Sequence, residues 1–143
     1  MPIKTFRGKM ADGAIDIVSL HTNNGSIGYR ILKLEAMGAR PAATDQESLI
    51  KIYTTPQTAV SDTVDLSDPT LIAVCFYDNS NAIGVNAMQT IVIDNVIINQ
   101  DIYITHSEGA GASGVNYYIA LEQIKLDLNE NTVATLKDIR ANA

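Results

Sequence analysis

The chain has 143 residues and a formal net charge of −6, with 46% hydrophobic and only 18% charged residues, no Trp and a single cysteine. That length and apolar content fit one domain with a substantial core and exclude a disordered chain. The acidic balance argues against nucleic acid as the main partner, the lone Cys75 excludes a disulfide framework, and no apolar run reaches the length of a membrane-spanning helix.

The opening residues lack the apolar stretch of a signal peptide, so folding in a cytoplasm is expected. Charge is unevenly spread. Residues 1–51 hold seven Lys and Arg against five Asp and Glu, whereas residues 52–124 hold no cation against eight acids. Residues 1–13 therefore read as a basic N-terminal arm, with Lys4, Arg7 and Lys9 beside Phe6. Such an arm suits an acidic partner surface, with Phe6 contributing more than any one charge.

A β-sandwich is expected over residues 14–128. Segments 14–22 and 27–36 read as two strands joined as a hairpin through Asn23-Asn24-Gly25-Ser26, because Asn-Gly supplies the positive φ of a tight turn. Ile31, Leu32 and Leu34 do not keep one parity, so either a bulge intervenes or both faces are covered. Segment 49–55 is a third strand closed by Pro56, and 64–66 a short one. Segment 70–77 is apolar on both parities and reads as a central strand, followed by a turn at Asp78-Asn79-Ser80-Asn81 and a surface loop over 82–87. Segments 88–93 and 96–98 follow, kinked at Asp94-Asn95.

The clearest alternation lies further on. Ile102 and Ile104 alternate with Tyr103 and Thr105, and Tyr117, Ile119 and Leu121 alternate with Asn116, Tyr118 and Ala120. These two strands are expected to pair as a long hairpin, with a bulge near Gln123 where the parity changes. About eight short strands favour an antiparallel sandwich of two four-stranded sheets, an eight-stranded jelly roll. Residues 129–143 form a C-terminal tail. That tail is expected to be helical or extended; as a short helix capped by Asn131 it would dock on its own sandwich or on a neighbouring copy, with Val133, Leu136 and Ile139, three apart, as the candidates for contact with that copy.

No constellation points to catalysis. Gly109-Ala110-Gly111-Ala112-Ser113-Gly114 matches G-x-G-x-x-G but opens a strand rather than a helix, so it reads as a hairpin tip and not a nucleotide site. His21 and His106 do not form the spaced pair of a cupin metal site, and His106 reads as a surface imidazole. Asp78, Asn79 and Asn81 lack the glycine and distal Glu of a calcium loop. Cys75 reads as a small buried hydrophobe, and Tyr117 and Tyr118 point to opposite faces, one to the core and one to the surface. No catalytic, cofactor or metal residues are assigned.

The run N-Q-D-I-Y-I-T-H from Asn99, with N-Y-Y-I-A-L-E-Q-I-K-L-D-L-N-E-N-T-V-A-T-L-K-D-I-R from Asn116 to Arg140, resembles the C-terminal part of small virion structural proteins of tailed bacteriophages, particularly marine ones. The N-N-G-S-I-G-Y-R-I hairpin is similar in character. The resemblance implies a non-enzymatic β-sandwich on the virion head. It would decorate or cement the shell across capsomer junctions, with the major capsid protein as partner, as a homo-oligomer and often a trimer. Two other functions remain open: a carbohydrate- or receptor-binding jelly roll of a head or tail fibre, which would rely on Tyr residues, and a cupin-type enzyme.

Overall fold

The structure, a computed structural model, describes residues 2–20, 26–43, 45–80, 85–93 and 95–126. Val133, Leu136, Ile139 and the expected C-terminal helix lie outside these residues, as do His21, Asn81 and Asp94. The described residues form an antiparallel β-sandwich of eight strands: β1 (Ile3–Met10), β2 (Ile15–Val18), β3 (Ile27–Gly38), β4 (Gln46–Tyr53), β5 (Leu71–Ser80), β6 (Val85–Val92), β7 (Ile102–Glu108) and β8 (Val115–Lys125). The sheets hold three and five strands rather than four each, in the orders β1-β8-β3 and β2-β7-β4-β5-β6. β6 makes the difference. It pairs with β5 and, among the described residues, meets β3 through side chains: Thr90 Oγ1 donates to the Leu34 carbonyl at 3.2 Å, and the Ala36 amide to Met88 Sδ at 3.4 Å.

The alternation of β7 and β8 holds, but their pairing does not. Ile102, Ile104, Ile119 and Leu121 are each fully buried, yet β7 lies between β2 and β4 while β8 lies between β1 and β3. The two strands face each other across the core. Residues 109–114 cross from one sheet to the other and are not a hairpin tip. β2 and β3 likewise belong to different sheets and form no hairpin.

Residues 3–10 are not an arm ahead of the sandwich. They are β1, paired with β8 from Ile3↔Glu122 to Met10↔Val115. The alternation explains why: Phe6, Gly8 and Met10 share the inward face, with Met10 buried and Phe6 packed on the core, while Ile3, Thr5, Arg7 and Lys9 face out.

The irregular parity of β3 is a bulge. Ile31 pairs with Leu121 and Lys33 with Ala120, so Leu32 is the extra residue. It lets Ile31 and Leu34, both buried, point inward from either side while Leu32 is exposed. β8 itself runs through Gln123 without a shift.

β5 lies between β4 and β6 and extends to Ser80, so Asp78 to Ser80 are strand rather than turn. Leu71 to Cys75 are buried on both faces. Ala73 and Cys75 face the core, and the outer face is covered near Thr63, whose carbonyl accepts from Lys51 Nζ at 2.7 Å. Residues 64–66 and 96–98 form no strand, although Ile98 makes a bridge to Tyr29.

Candidate functional site

The interior of the five-stranded sheet holds a polar cluster. Gln46 and Ser48 on β4, and His106 and Glu108 on β7, fall on the inward parity of their strands, and all four are buried. His106 Nδ1 lies 3.0 Å from the Ala11 carbonyl. A carbonyl can only accept, so Nδ1 carries the proton and Nε2 accepts from Ser48 Oγ, 3.0 Å away. Gln46 Nε2 donates to Ser48 Oγ at 2.6 Å and to the Gly114 carbonyl at 2.7 Å. A hydroxyl on a neutral imidazole is the connectivity of a nucleophile and its base. Ser48 and His106 are both at 0% exposure, so no substrate reaches them here, and the pair acts as a cross-link between β4, β7 and the turn after β1. His106 is thus a buried, hydrogen-bonded imidazole and not a surface one.

Glu108 organises the glycine-rich segment. Its Oε1 accepts from the amides of Glu47 at 3.0 Å and Ala110 at 2.8 Å, and its Oε2 from Ser113 at 3.3 Å. Burial pushes its pKa up, but the amides of Glu47, Ala110, Ser113 and Gly111 outweigh burial and hold it below the ordinary carboxylate value. Amides of the G-x-G-x-x-G run, which in a nucleotide site would face phosphate, here turn onto the protein's own carboxylate.

Across the core, Tyr117 on β8 donates its hydroxyl to Asp16 Oδ2 at 3.2 Å. Burial, then the Asp16 charge and hydrogen bond, push its pKa up to about 12. Among the described residues no group of three or more His, Cys, Asp or Glu could hold a metal ion.

Cys75 is fully buried with its Sγ 3.3 Å from Thr90 Oγ1, and burial pushes its thiol pKa up. Native protein should therefore leave a thiol reagent such as dithionitrobenzoate unreacted, with one equivalent released only in denaturant. Prompt reaction of folded protein would contradict the placement of β5.

The exposed polar surface with unused capacity is the outer face of the three-stranded sheet. Its cross-strand rows run Ile3–Glu122–Arg30, Thr5–Ala120–Lys33, Arg7–Tyr118–Glu35 and Lys9–Asn116–Met37. Arg30 forms an ion pair with Glu122, and Lys33 with Glu35 at 3.0 Å. Arg7 and Lys9 have no hydrogen bond or ion pair among the described residues. Four cations against two carboxylates leave this face net positive on a protein of net charge −6. Between the rows lies an open cleft of about 570 Å³, lined by Arg7, Lys9, Glu35, Met37, Asn116 and Tyr118 among others. Ile3, Met37 and Tyr118 are exposed on the same face, and Leu32 beside it at the bulge.

The four residues expected on a partner thus divide between two faces. Arg7 and Lys9 stand on the open face. Lys4 turns the other way, its Nζ 3.4 Å from Tyr29 Oη and over the Tyr29 ring, and Phe6 packs on the core rather than being free to enter a partner. Sequence reasoning missed Arg30 and Lys33. Only the Leu32 bulge puts these two on one face, and the parity break at Ile31-Leu32 was the available signal.

No protein-family model matches this chain, and no curated protein matches it.

Proposed function

We propose that this chain is a non-enzymatic structural protein of a tailed-bacteriophage virion. In this reading it decorates the head surface and cements the shell by binding the major capsid protein across capsomer junctions, as a homo-oligomer, with a trimer favoured. The single observation behind it is the division of polar groups between interior and surface. The groups that resemble chemistry, Ser48 with His106 and Glu108 with its amides, are closed off, while Arg7 and Lys9, without a partner among the described residues, stand on an open face with exposed apolar side chains. Uncovered apolar surface beside unpaired charge suits docking. The nested pairings β1 with β8, β2 with β7 and β4 with β5 support a jelly roll in which the β3–β6 rung has opened. Many copies, each making a modest contact, would oppose internal pressure through avidity.

The test is attachment to purified heads that lack the protein. A variant with Arg7, Lys9 and Lys33 changed to Ser should bind at least tenfold more weakly, and binding of the parent should fall with salt. No binding of the parent to heads at any salt concentration would overturn the proposal. A second reading, a carbohydrate-binding module, draws on one observation: Tyr118 is exposed in the cleft beside Asn116 and Glu35. A glycan array on purified protein separates the two.

A further inference from the structure

Among the described residues β1 is an edge strand with one side of its backbone unused. The Gln123 amide donates to the Pro2 carbonyl at 2.9 Å, which fixes the alternation of the antiparallel ladder. From Pro2 onward every second residue of β1 bonds β8: Lys4, Phe6, Gly8 and Met10, opposite Leu121, Ile119, Tyr117 and Val115. The amides and carbonyls of Ile3, Thr5, Arg7 and Lys9 therefore point away from β8. Among the described residues none of these groups makes a backbone hydrogen bond. The opposite edge of the same sheet is different, because the Ile98 bridge, Thr90 and Met88 cover β3.

An open edge is a template for another strand. We propose that β1 takes up an extended segment of the partner polypeptide by strand addition, and that this segment carries carboxylates at alternate positions. The proposal rests on the decoration reading and names its mode of docking. The charge pattern selects the occupant. A strand laid beside β1 places every second side chain on the outer face next to Arg7 and Lys9, which lack partners among the described residues, and the intervening ones beside the rim of the core at Phe6. An acidic residue at every other position, with apolar residues between, satisfies both faces. A second copy of β1 does not, because antiparallel self-pairing sets the cations of one strand against those of the other. β2 of a second copy offers four residues, with its only carboxylate, Asp16, accepting from Tyr117.

Proline provides the test, because it removes one amide and tolerates an extended edge position whose N–H faces out. Thr5→Pro deletes an amide with no backbone partner among the described residues, whereas Phe6→Pro deletes one that bonds β8 and serves as the destabilised control. Thr5→Ala checks the side chain alone. On heads lacking the protein, Thr5→Pro should keep the parental melting temperature and bind at least tenfold more weakly, with Thr5→Ala binding as the parent. Arg7→Glu with Lys9→Glu should lose at least as much. In parallel, amide exchange at Thr5, Arg7 and Lys9 should be fast in free protein and slow on heads, a readout that stands even if the proline variant folds poorly.

Equal binding by Thr5→Pro overturns strand addition and leaves decoration intact, whereas failure of the parent to bind overturns decoration itself. Slow exchange of these amides in free monomer means that the chain covers its own edge. A change in oligomer size with head binding unaltered means that a second copy is the occupant. Either result overturns the proposal.

Discussion

Glu108→Ala should lower the unfolding free energy by about 2–4 kcal/mol, measured by urea denaturation at neutral pH, because buried amides lose a charged acceptor. Three amides from two stretches of chain converge on that carboxylate, those of Glu47, Ala110 and Ser113. Glu108→Gln should cost less. One oxygen can still accept from Glu47 and Ala110, but the amide nitrogen then meets the Ser113 N–H, donor against donor. The pH dependence follows from the direction of the Glu108 shift. Its folded pKa lies below the ordinary carboxylate value, so its contribution is fully present above that value and is lost as pH falls through the folded pKa. The parent should therefore lose stability in mild acid more steeply than Glu108→Gln. Identical acid profiles would mean that the carboxylate does not hold the 109–114 crossing.

Deleting Leu32 should be tolerated, whereas a charge at either of the buried residues flanking it should not. Leu32→Ala removes an exposed side chain and should change stability by no more than about 0.5 kcal/mol. Removing the residue removes the bulge and keeps the register: Ile31 then precedes Lys33 directly, the pairs Ile31↔Leu121 and Lys33↔Ala120 become consecutive, and Tyr29, Ile31 and Leu34 keep one inward parity. That variant should stay soluble and unfold cooperatively. Ile31→Asp or Leu34→Asp instead places a carboxylate at a buried position of the core. The lost apolar burial costs about 1.5–3 kcal/mol and the buried charge adds to it, enough to unfold a domain of ordinary stability. Unfolded protein with Leu32 deleted would show that the bulge itself, and not the alternation on either side of it, holds β3 on β8.

The alternation around Ile102, Ile104, Ile119 and Leu121 was legible because burial on one side of a strand leaves a period of two whatever the neighbours are. Their partners were not legible for the same reason: two strands facing across a core and two strands in a hairpin have the same pattern, and a six-residue connection serves either. Continuing the β7 alternation from Ile104 places His106 and Glu108 inward, so their burial was within reach. What masked it was their polarity, since the acceptors and donors that satisfy them come from Ala11, Ser48 and Ala110, distant or unremarkable in sequence. β1 was hidden by its charges. Cations on an edge strand protect it from unwanted pairing and give it the composition of a solvated tail.

The position of β8 has a consequence for how the chain reaches this state. Both its neighbours lie in the first 38 residues, with Met10 opposite Val115 and Gly38 beside the same residue. During synthesis β1 and β3 have nothing between them until β8 has left the ribosome, while β4, β5 and β6 meet their neighbours early. Pairing over such sequence separation is slow, and unpaired strands are prone to aggregate while they wait. A nascent chain halted before Val115 can assemble the β4–β5–β6 meander but leaves Met10, Ile31 and Leu34 uncovered. Emergence of β8 thus becomes the event that releases folding, and premature stops anywhere upstream of β8 should yield material for proteolysis rather than a smaller working domain.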